Sequence, residues 1–212
     1  MELASIRKEY AQSSLDTDNA DKSPFKQFDK WMNEAVKAEL TEATAMVLST
    51  SDSIGQINQR TVLLKEFGLN GLVFYTNYTS RKAKQMAENK FVSVLFPWYD
   101  LERQVAITGV ATKISKEQSL KYFLSRPFGS QLGAWVSNQS QIISSRSIIE
   151  TKLAEMKLKF IEGKVPLPDD WGGYIIKPTS FEFWQGRQNR LHDRLIYTQT
   201  EKDDWTIDRL AP

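Results

Sequence analysis

Arg187, Arg190, His192 and Arg194 fall within eight positions of one another, close to Trp184, in the stretch EFWQGRQNRLHDRLIY (182–197). On a strand, Arg190, His192 and Arg194 share one face, because side chains alternate. Three cationic or potentially cationic groups side by side repel one another unless an anion lies among them. The cluster therefore reads as an anion-binding surface with a planar aromatic neighbour. The competing reading is an edge strand guarded by charge. A Ser-His-Asp hydrolase built on His192 and Asp193 is disfavoured, since adjacent strand residues point apart.

Further segments have residue types suited to gripping an anion. In FYTNYTSRKAKQM (74–86) a strand ending at Tyr75 and Thr76 leads through a hydroxyl-rich loop to Ser80, a helix cap, with Arg81 and Lys82 in the first turn. Cations are disfavoured there by the helix dipole. Free N–H groups, hydroxyls and two cations together make a phosphate site; a solvated basic turn is the alternative. In QRTVLLK (59–65) Arg60 and Lys65 bracket Thr61, Val62, Leu63 and Leu64, and odd spacing on a strand puts the two cations on opposite faces. In LERQVAITG (101–109) Gln104 has an amide that both donates and accepts, which suits the edge of a heterocycle or simply a turn. In KYFLSRPFGSQLGAWVSNQS (121–140) Tyr122 and Arg126 are one helical turn apart, Ser130 follows Pro127, and Gln139 and Ser140 close the stretch. A second phosphate grip and an ordinary cationic helix terminus are both open there.

The elements that must carry these residues read as follows. Residues 1–23 are polar and form a mobile arm. Ser23-Pro24 opens a helix to about Leu40, with Ser23 as N-cap. AMVLSTS (45–51), INQRTVLLK (57–65), GLVFYTN (71–77), FVSVLFPW (91–98) and 103–115 read as strands, the last with a bulge at Gly109. The turns at 53–55 and 68–71 suggest that consecutive strands pair as hairpins. Helices are expected at 80–89, 116–125, 129–136 and 146–160, the last amphipathic through Ile149, Leu153, Met156 and Phe160, with a Glu155–Lys159 pair. Strands at 173–177, 180–185, 191–199 and 205–210 complete an antiparallel sheet or barrel with peripheral helices.

Composition narrows the chemistry. In 212 residues there is no Cys and one His, so thiolate chemistry and a multi-histidine metal centre are excluded. The net charge of +2 argues against a broad nucleic-acid-binding face. No apolar run approaches the ~20 residues that span a bilayer, and a soluble, cytoplasmic protein is expected. G-x-G-x-x-G, Walker A and G-x-S-x-G motifs are absent.

Taken in order, QRTVLLK, FYTN with SRKA, LFPW with LERQV, KYF with SRP, GAWVS with QS, VPLP with WGG, EFWQG, RLHDR and the terminal RLAP resemble the pyridoxamine/pyridoxine 5′-phosphate oxidase family. The match runs from about Thr44 to Pro212. The resemblance implies a mainly β fold with flanking helices, the FMN-binding split β-barrel, as one domain over 24–212. It implies a homodimer with FMN at the subunit interface. It further implies oxidation of phosphorylated B6 vitamers by molecular oxygen, with no metal, nucleic acid or membrane. Positions matching FMN contacts are Arg60, Thr61, Val62, Leu63, Leu64, Lys65, Tyr75, Thr76, Arg81, Lys82, Gln104, Gln139, Ser140, Trp184 and Arg194. Positions matching substrate contacts are Lys65, Tyr122, Arg126, Ser130, Arg190 and His192, with Arg190 and His192 catalytic. Arg7 and Tyr10 resemble an N-terminal arm that closes over the site. Alternatives are a split-barrel flavoprotein with another substrate and a non-catalytic flavin or pyridoxal phosphate carrier.

Overall fold

Alternating burial sets up the sheet. In strand β1 (Ala45–Ser51) Met46, Leu48 and Thr50 point inward, and the residues between them are half-exposed. The computed structural model describes residues 3, 5, 8–161, 163–202 and 204–212. Its strands continue with β2 (Ile57–Leu63), β3 (Glu66–Gly68), β4 (Gly71–Asn77), β5 (Phe91–Trp98), β6 (Arg103–Lys113), β7 (Trp171–Gln185), β8 (Asp193–Gln199) and β9 (Trp205–Leu210). All pair antiparallel in one sheet of order β2-β1-β5-β6-β7-β4-β3, with β8 and β9 branching from β7. The helices are α1 (Pro24–Lys37), α2 (Arg81–Glu88), α3 (Lys116–Ser125), α4 (Phe128–Val136) and α5 (Ser147–Lys159).

Strand β7 divides the sheet. One edge pairs with β6 along its length. The other edge pairs with β4 from Trp171 to Ile176 and with β8 from Ser180 to Gln185. The sequence suggests two strands here, interrupted at Pro178. The structure has one, because the ladder register shifts between Thr108 and Gly109 and Pro178 sits opposite Gly109. A proline is tolerated at such a bulge, where its missing N–H breaks no regular ladder bond. The hairpin expected between 57–65 and 71–77 is also different. β2 ends at Leu63, and the short β3 pairs with β4 instead, which leaves β2 at the far edge of the sheet.

Helix α1 closes one face. Phe28 packs on Phe67 and Phe96, and Trp31 meets Phe183 edge-on at 5.3 Å. Pro24 occupies the first turn as expected. Ser23 sits at the N-cap but makes no side-chain cap bond; its N–H donates to Asp21 instead. A second, smaller core gathers Phe123, Leu132, Val165 and Trp171 beneath α3–α5. On α5 the expected face (Ile149, Leu153, Met156, Phe160) is the half-buried one. Its ion pair is Arg146–Glu150, while Lys159 lies over the Trp135 ring at 5.5 Å.

From Lys8 onward the N-terminal segment is tied to the sheet. The N–H groups of Ala11 and Gln12 donate to Glu102, that of Leu15 donates to Asp193, and Leu15 itself is buried. No helix among the described residues is long and apolar enough to cross a membrane.

A Cβ added at Gly109 would collide with the Lys177 carbonyl oxygen, whereas one at Gly129 in α4 would meet nothing within 4 Å. Gly109→Ala should therefore cost about 1–3 kcal/mol in urea unfolding. Gly129→Ala should be neutral or stabilising by up to ~1 kcal/mol. Equal unfolding midpoints for the two variants would remove the bulge as the reason for this glycine.

Candidate active site

Strand β4 is buried nearly throughout and delivers Thr76 and Asn77 to the start of α2. Asn77 Oδ1 accepts from the Thr79 N–H and hydroxyl, and Ser80 caps α2 by accepting from the Ala83 N–H. Ala83 and Met86 seat the helix in the core, which turns Lys82 inward. Lys82 is 7% exposed. Its Nζ donates to Thr76 Oγ1 at 3.0 Å and to Gln139 Oε1 at 2.8 Å. No carboxylate pairs with it among the described residues. Burial, with a further push from Arg60, lowers its pKa to about 8.

Lys82 stands between two adjoining cavities. One, of about 420 Å³, is lined by Thr61, Val62, Leu63, Lys65, Tyr75, Thr76, Tyr122, Arg126, Ser130 and Gln139 among others. The second, of about 500 Å³, is lined by Asn58, Gln59, Arg60, Thr61, Arg81, Lys82, Gln139 and Ser140. Neither is lined by a carboxylate. Thr61, Lys82 and Gln139 belong to both, so the cavities form one cleft. The opposite-face difficulty for Arg60 and Lys65 disappears here. β2 stops at Leu63, and Lys65 lies past the strand, where alternation no longer governs.

Aromatic rings build the far wall. Tyr75 stacks on Tyr122 with ring centroids 3.8 Å apart and on Trp171 at 5.4 Å. The Arg126 guanidinium lies over Trp171 at 4.7 Å. This cation–π contact holds the cation where a carboxylate otherwise would. Arg126 Nη1 is buried with no hydrogen-bond partner. Burial lowers the Arg126 pKa and raises that of Tyr122. The Tyr75 hydroxyl donates to Glu66 at 3.0 Å, and burial followed by that contact raises its pKa. An orphaned guanidinium N–H and a buried ammonium without a counter-ion are what a phosphate group would satisfy.

The C-terminal cluster lies elsewhere. A separate cavity of about 570 Å³ is lined by Lys8, Glu9, Tyr10, Arg187, Asn189, Arg190 and His192. The strand expected over 191–199 begins only at Asp193, and Arg190 ends a 3-10 turn, Gln188–Arg190. Arg190, His192 and Arg194 therefore do not share a strand face. Asn189 and Arg190 both have left-handed backbone, φ 55° and 61°, which is strained for residues with a Cβ. Arg194 is neutralised by Glu182 at 2.8 Å, and Arg187 faces Asp193 at 3.5 Å. His192 packs on Trp184, centroids 4.5 Å apart, and Tyr10 meets both rings edge-on. The Arg187 N–H donates to His192 Nδ1, so the neutral imidazole carries its proton on Nε2.

The candidate residues thus form two groups. Arg60–Leu63, Lys65, Tyr75, Thr76, Arg81, Lys82, Tyr122, Arg126, Ser130, Gln139 and Ser140 surround the first cleft. Tyr10, Trp184, Arg190 and His192 form the second group, with Arg194 opposite Trp184 on β8 and Gln104 opposite it on β6. The Leu64 side chain belongs to the core rather than the cleft. Arg7 lies outside the described residues. Asn58 lies outside the quoted motifs, and Trp171, though part of WGG, carries no site assignment from them; both line the cleft. Asn58 accepts from Arg81 at 3.1 Å, and its period-two spacing from Arg60 is a usable signal.

The sequence model described as pyridoxamine 5′-phosphate oxidase matches residues 32–160, and that of the pyridoxine 5′-phosphate oxidase C-terminal dimerisation region matches 171–212. The chain belongs to the pyridoxine/pyridoxamine 5′-phosphate oxidase family. The family's enzymes from Crocosphaera subtropica and Aliarcobacter butzleri are each 57% identical to it over 100% of both chains. Among solved structures, PhzG from Burkholderia lata, in complex with tetrahydrophenazine-1-carboxylic acid, superposes with a TM-score of 0.87 at 28% identity over 92% of this chain and 95% of that one. A pyridoxamine 5′-phosphate oxidase-related, FMN-binding protein from Nostoc punctiforme gives 0.72 at 15% identity over 91% and 100%. The fold is the split barrel of this family.

Lys82 must hold its proton to attract an anion. Above about pH 8 the empty site loses that proton. On the expectation that Lys82 meets the FMN phosphate, affinity of the FMN-free protein for FMN should then fall by up to about tenfold per pH unit. Flavin-fluorescence titrations from pH 6 to 10 should show this slope, and Lys82→Met should bind weakly with a flat profile.

Proposed function

We propose that this chain oxidises pyridoxamine 5′-phosphate and pyridoxine 5′-phosphate to pyridoxal 5′-phosphate with FMN and molecular oxygen, in a site assembled from two copies of the chain. The observation that carries the reading is a phosphate-suited cleft and an Arg–His–Trp cluster held at opposite ends of one strand. Trp171 at the start of β7 walls the cleft, and Trp184 near its end packs on His192. At ~3.3 Å per residue, the two are about 40 Å apart along the strand. One chain cannot bring them to a single ligand, whereas a two-fold dimer sets one end against the other in both sites. The match of 171–212 to a dimerisation region, which carries Trp184, Arg190, His192 and Arg194, supports this arrangement.

Arg60, Arg81, Lys82 and Ser140 would hold the cofactor's phosphate, and 61–65, Tyr75, Thr76 and Gln139 would border the rest of it. Gln104, Trp184 and Arg194 would reach it from the second copy. Lys65, Tyr122, Arg126 and Ser130 would bind the substrate phosphate, fixing the pyridine ring by its far end. Bound FMN would supply a two-electron acceptor for the hydride of the substrate's 4′ carbon and a route for those electrons to molecular oxygen, with hydrogen peroxide as the by-product. With the amine, hydrolysis of the oxidised substrate releases ammonia.

The chain's own part is largely positioning, which lowers the barrier by prepaying orientation. Arg190 and His192 of the second copy bind and orient the reacting edge. His192 is a fixed donor at Nε2, because the Arg187 N–H occupies Nδ1. A guanidinium is a poor general base, so Arg190 serves as a donor that holds the substrate's oxygen or nitrogen. Tyr10, edge-on to both Trp184 and His192, covers the cluster and excludes water.

Anaerobic addition of pyridoxine 5′-phosphate to the FMN-loaded protein should bleach the visible flavin band. Air should restore it with release of peroxide and pyridoxal 5′-phosphate. Arg190→Met should slow the bleaching by about 100-fold or more with FMN affinity unchanged; unaltered bleaching would remove Arg190 from the reaction.

A shared site also predicts complementation. Arg126→Met and Arg190→Met should each be nearly inactive. Co-expressed, they should recover about a quarter of wild-type activity, because half the dimers are mixed and each has one intact site. No recovery in a verified mixed dimer would place both halves in one subunit.

A further inference from the structure

Thr50 and Gln85 are buried polar residues given no anion-gripping role by the motifs, yet Thr50 is hydrogen-bonded to Arg60, which lines the cleft, and Gln85 to Thr50. Thr50 is the third inward position of β1, following Met46 and Leu48, and is 2% exposed. Gln85 is on α2, one turn past Arg81 and Lys82, and is 5% exposed. Polar groups are costly at such depth unless every bond is made.

Here the bonds run in one direction. The Gln85 amide NH₂ donates to the Gln56 carbonyl at 3.2 Å. Its amide oxygen is thereby turned to accept the Thr50 hydroxyl at 2.6 Å. With its proton committed, Thr50 Oγ1 presents a lone pair, and Arg60 Nη1 donates to it at 2.6 Å. The same Nη1 donates to the Leu48 carbonyl at 3.1 Å. Each partner fixes the polarity of the next. Arg60 ends with Nη1 fully engaged by the protein and no carboxylate beside it, on the wall of the cavity that also holds Arg81, Lys82 and Ser140. Burial and the neighbouring Arg81 both lower the Arg60 pKa, so the guanidinium gains from an added anion.

We propose that Thr50 and Gln85 are positioning residues for cofactor binding, a relay that fixes the Arg60 guanidinium so that its remaining N–H groups meet the FMN phosphate. The inference rests on the reading of this cavity as the FMN phosphate site. α2 then has two tasks. Its first turn presents Arg81 and Lys82 directly, and its second turn aims Arg60 across from β2.

The test compares FMN with riboflavin, which lacks the phosphate, on the FMN-free full-length protein by fluorescence quenching. Thr50→Val keeps the shape and removes the hydroxyl. It should weaken FMN by about tenfold or more and leave riboflavin unchanged, as expected for loss of a bond to a charged group. Thr50→Ser should restore FMN binding. Gln85→Leu should match Thr50→Val, and the double variant should be no worse than either, since the three side chains act in series. Gln85→Leu also keeps the question open if Thr50→Val folds poorly. Wild-type FMN affinity in both single variants, or an equal loss for FMN and riboflavin with a lowered Tm, overturns the relay. A wild-type protein that binds riboflavin as tightly as FMN overturns the reading of the cavity itself, and that result is separate from the behaviour of the variants.

Discussion

A buried cation with no counter-charge must be held by something else, and most of the cleft's architecture follows from that constraint. Among the described residues Lys82 has only neutral acceptors, a threonine hydroxyl and a glutamine amide. Arg126 has the face of Trp171. Arg60 has a carbonyl and a hydroxyl. A carboxylate at any of these points would stabilise the empty protein and compete with a phosphate for the same donors. Using hydroxyls, amides and ring faces keeps the cations fixed and their charge unspent. That requires elements arriving from distant parts of the chain: β1 and β2 behind Arg60, α2 under Lys82, and α3 with the start of β7 around Arg126. The satellite core of Phe123, Leu132, Val165 and Trp171 keeps the last two in contact.

The C-terminal cluster follows the opposite rule. Arg194 is paired with Glu182, Arg187 with Asp193, and Arg209 with both Asp16 and Asp193. Glu102 binds the backbone of the N-terminal segment. Most of the charges are paired there, and the pairs flank the strained turn at Asn189 and Arg190 and the packing of His192 against Trp184 and Tyr10. One surface stores uncompensated positive charge, and the other stores geometry. A phosphorylated substrate needs both, since its phosphate supplies binding energy at one end and its reacting carbon needs alignment at the other.

The sequence revealed element types well and long-range geometry poorly. Period-two burial in 45–51 and the Ser80 cap with its two following cations were readable because they are local. The short motifs placed nearly every residue of the cleft. What failed was inference across a breaker. Pro178 argued for two strands, and only the partner strand's register shift at Gly109 makes one continuous strand possible. Alternation was extended past the true ends of β2 and β8, so it separated Arg60 from Lys65 and wrongly aligned Arg190 with Arg194. Thr50 and Gln85 could not be singled out at all, since each looks ordinary until the fold closes the 35 positions that separate them.

On the proposed reading, the length of β7 is the reason a single chain carries both groups of candidate residues yet needs a second copy to bring them to one ligand. The strand is the one element shared by both groups, and as an extended chain it keeps its ends apart. The bulge at Gly109 bends the sheet but cannot fold a hydrogen-bonded strand back on itself, because β6 pairs with it on both sides of the irregularity. Bringing the groups together within one molecule would mean breaking that ladder, whereas a two-fold axis brings them together twice with the ladder intact. The split of β7's other edge between β4 and β8 serves the same end. β4 leads directly into the cation-bearing helix, and β8 carries Arg194 at the opposite end of the strand. On the proposed two-copy reading, subunit association is part of building the site, and β7 is the tether between its halves.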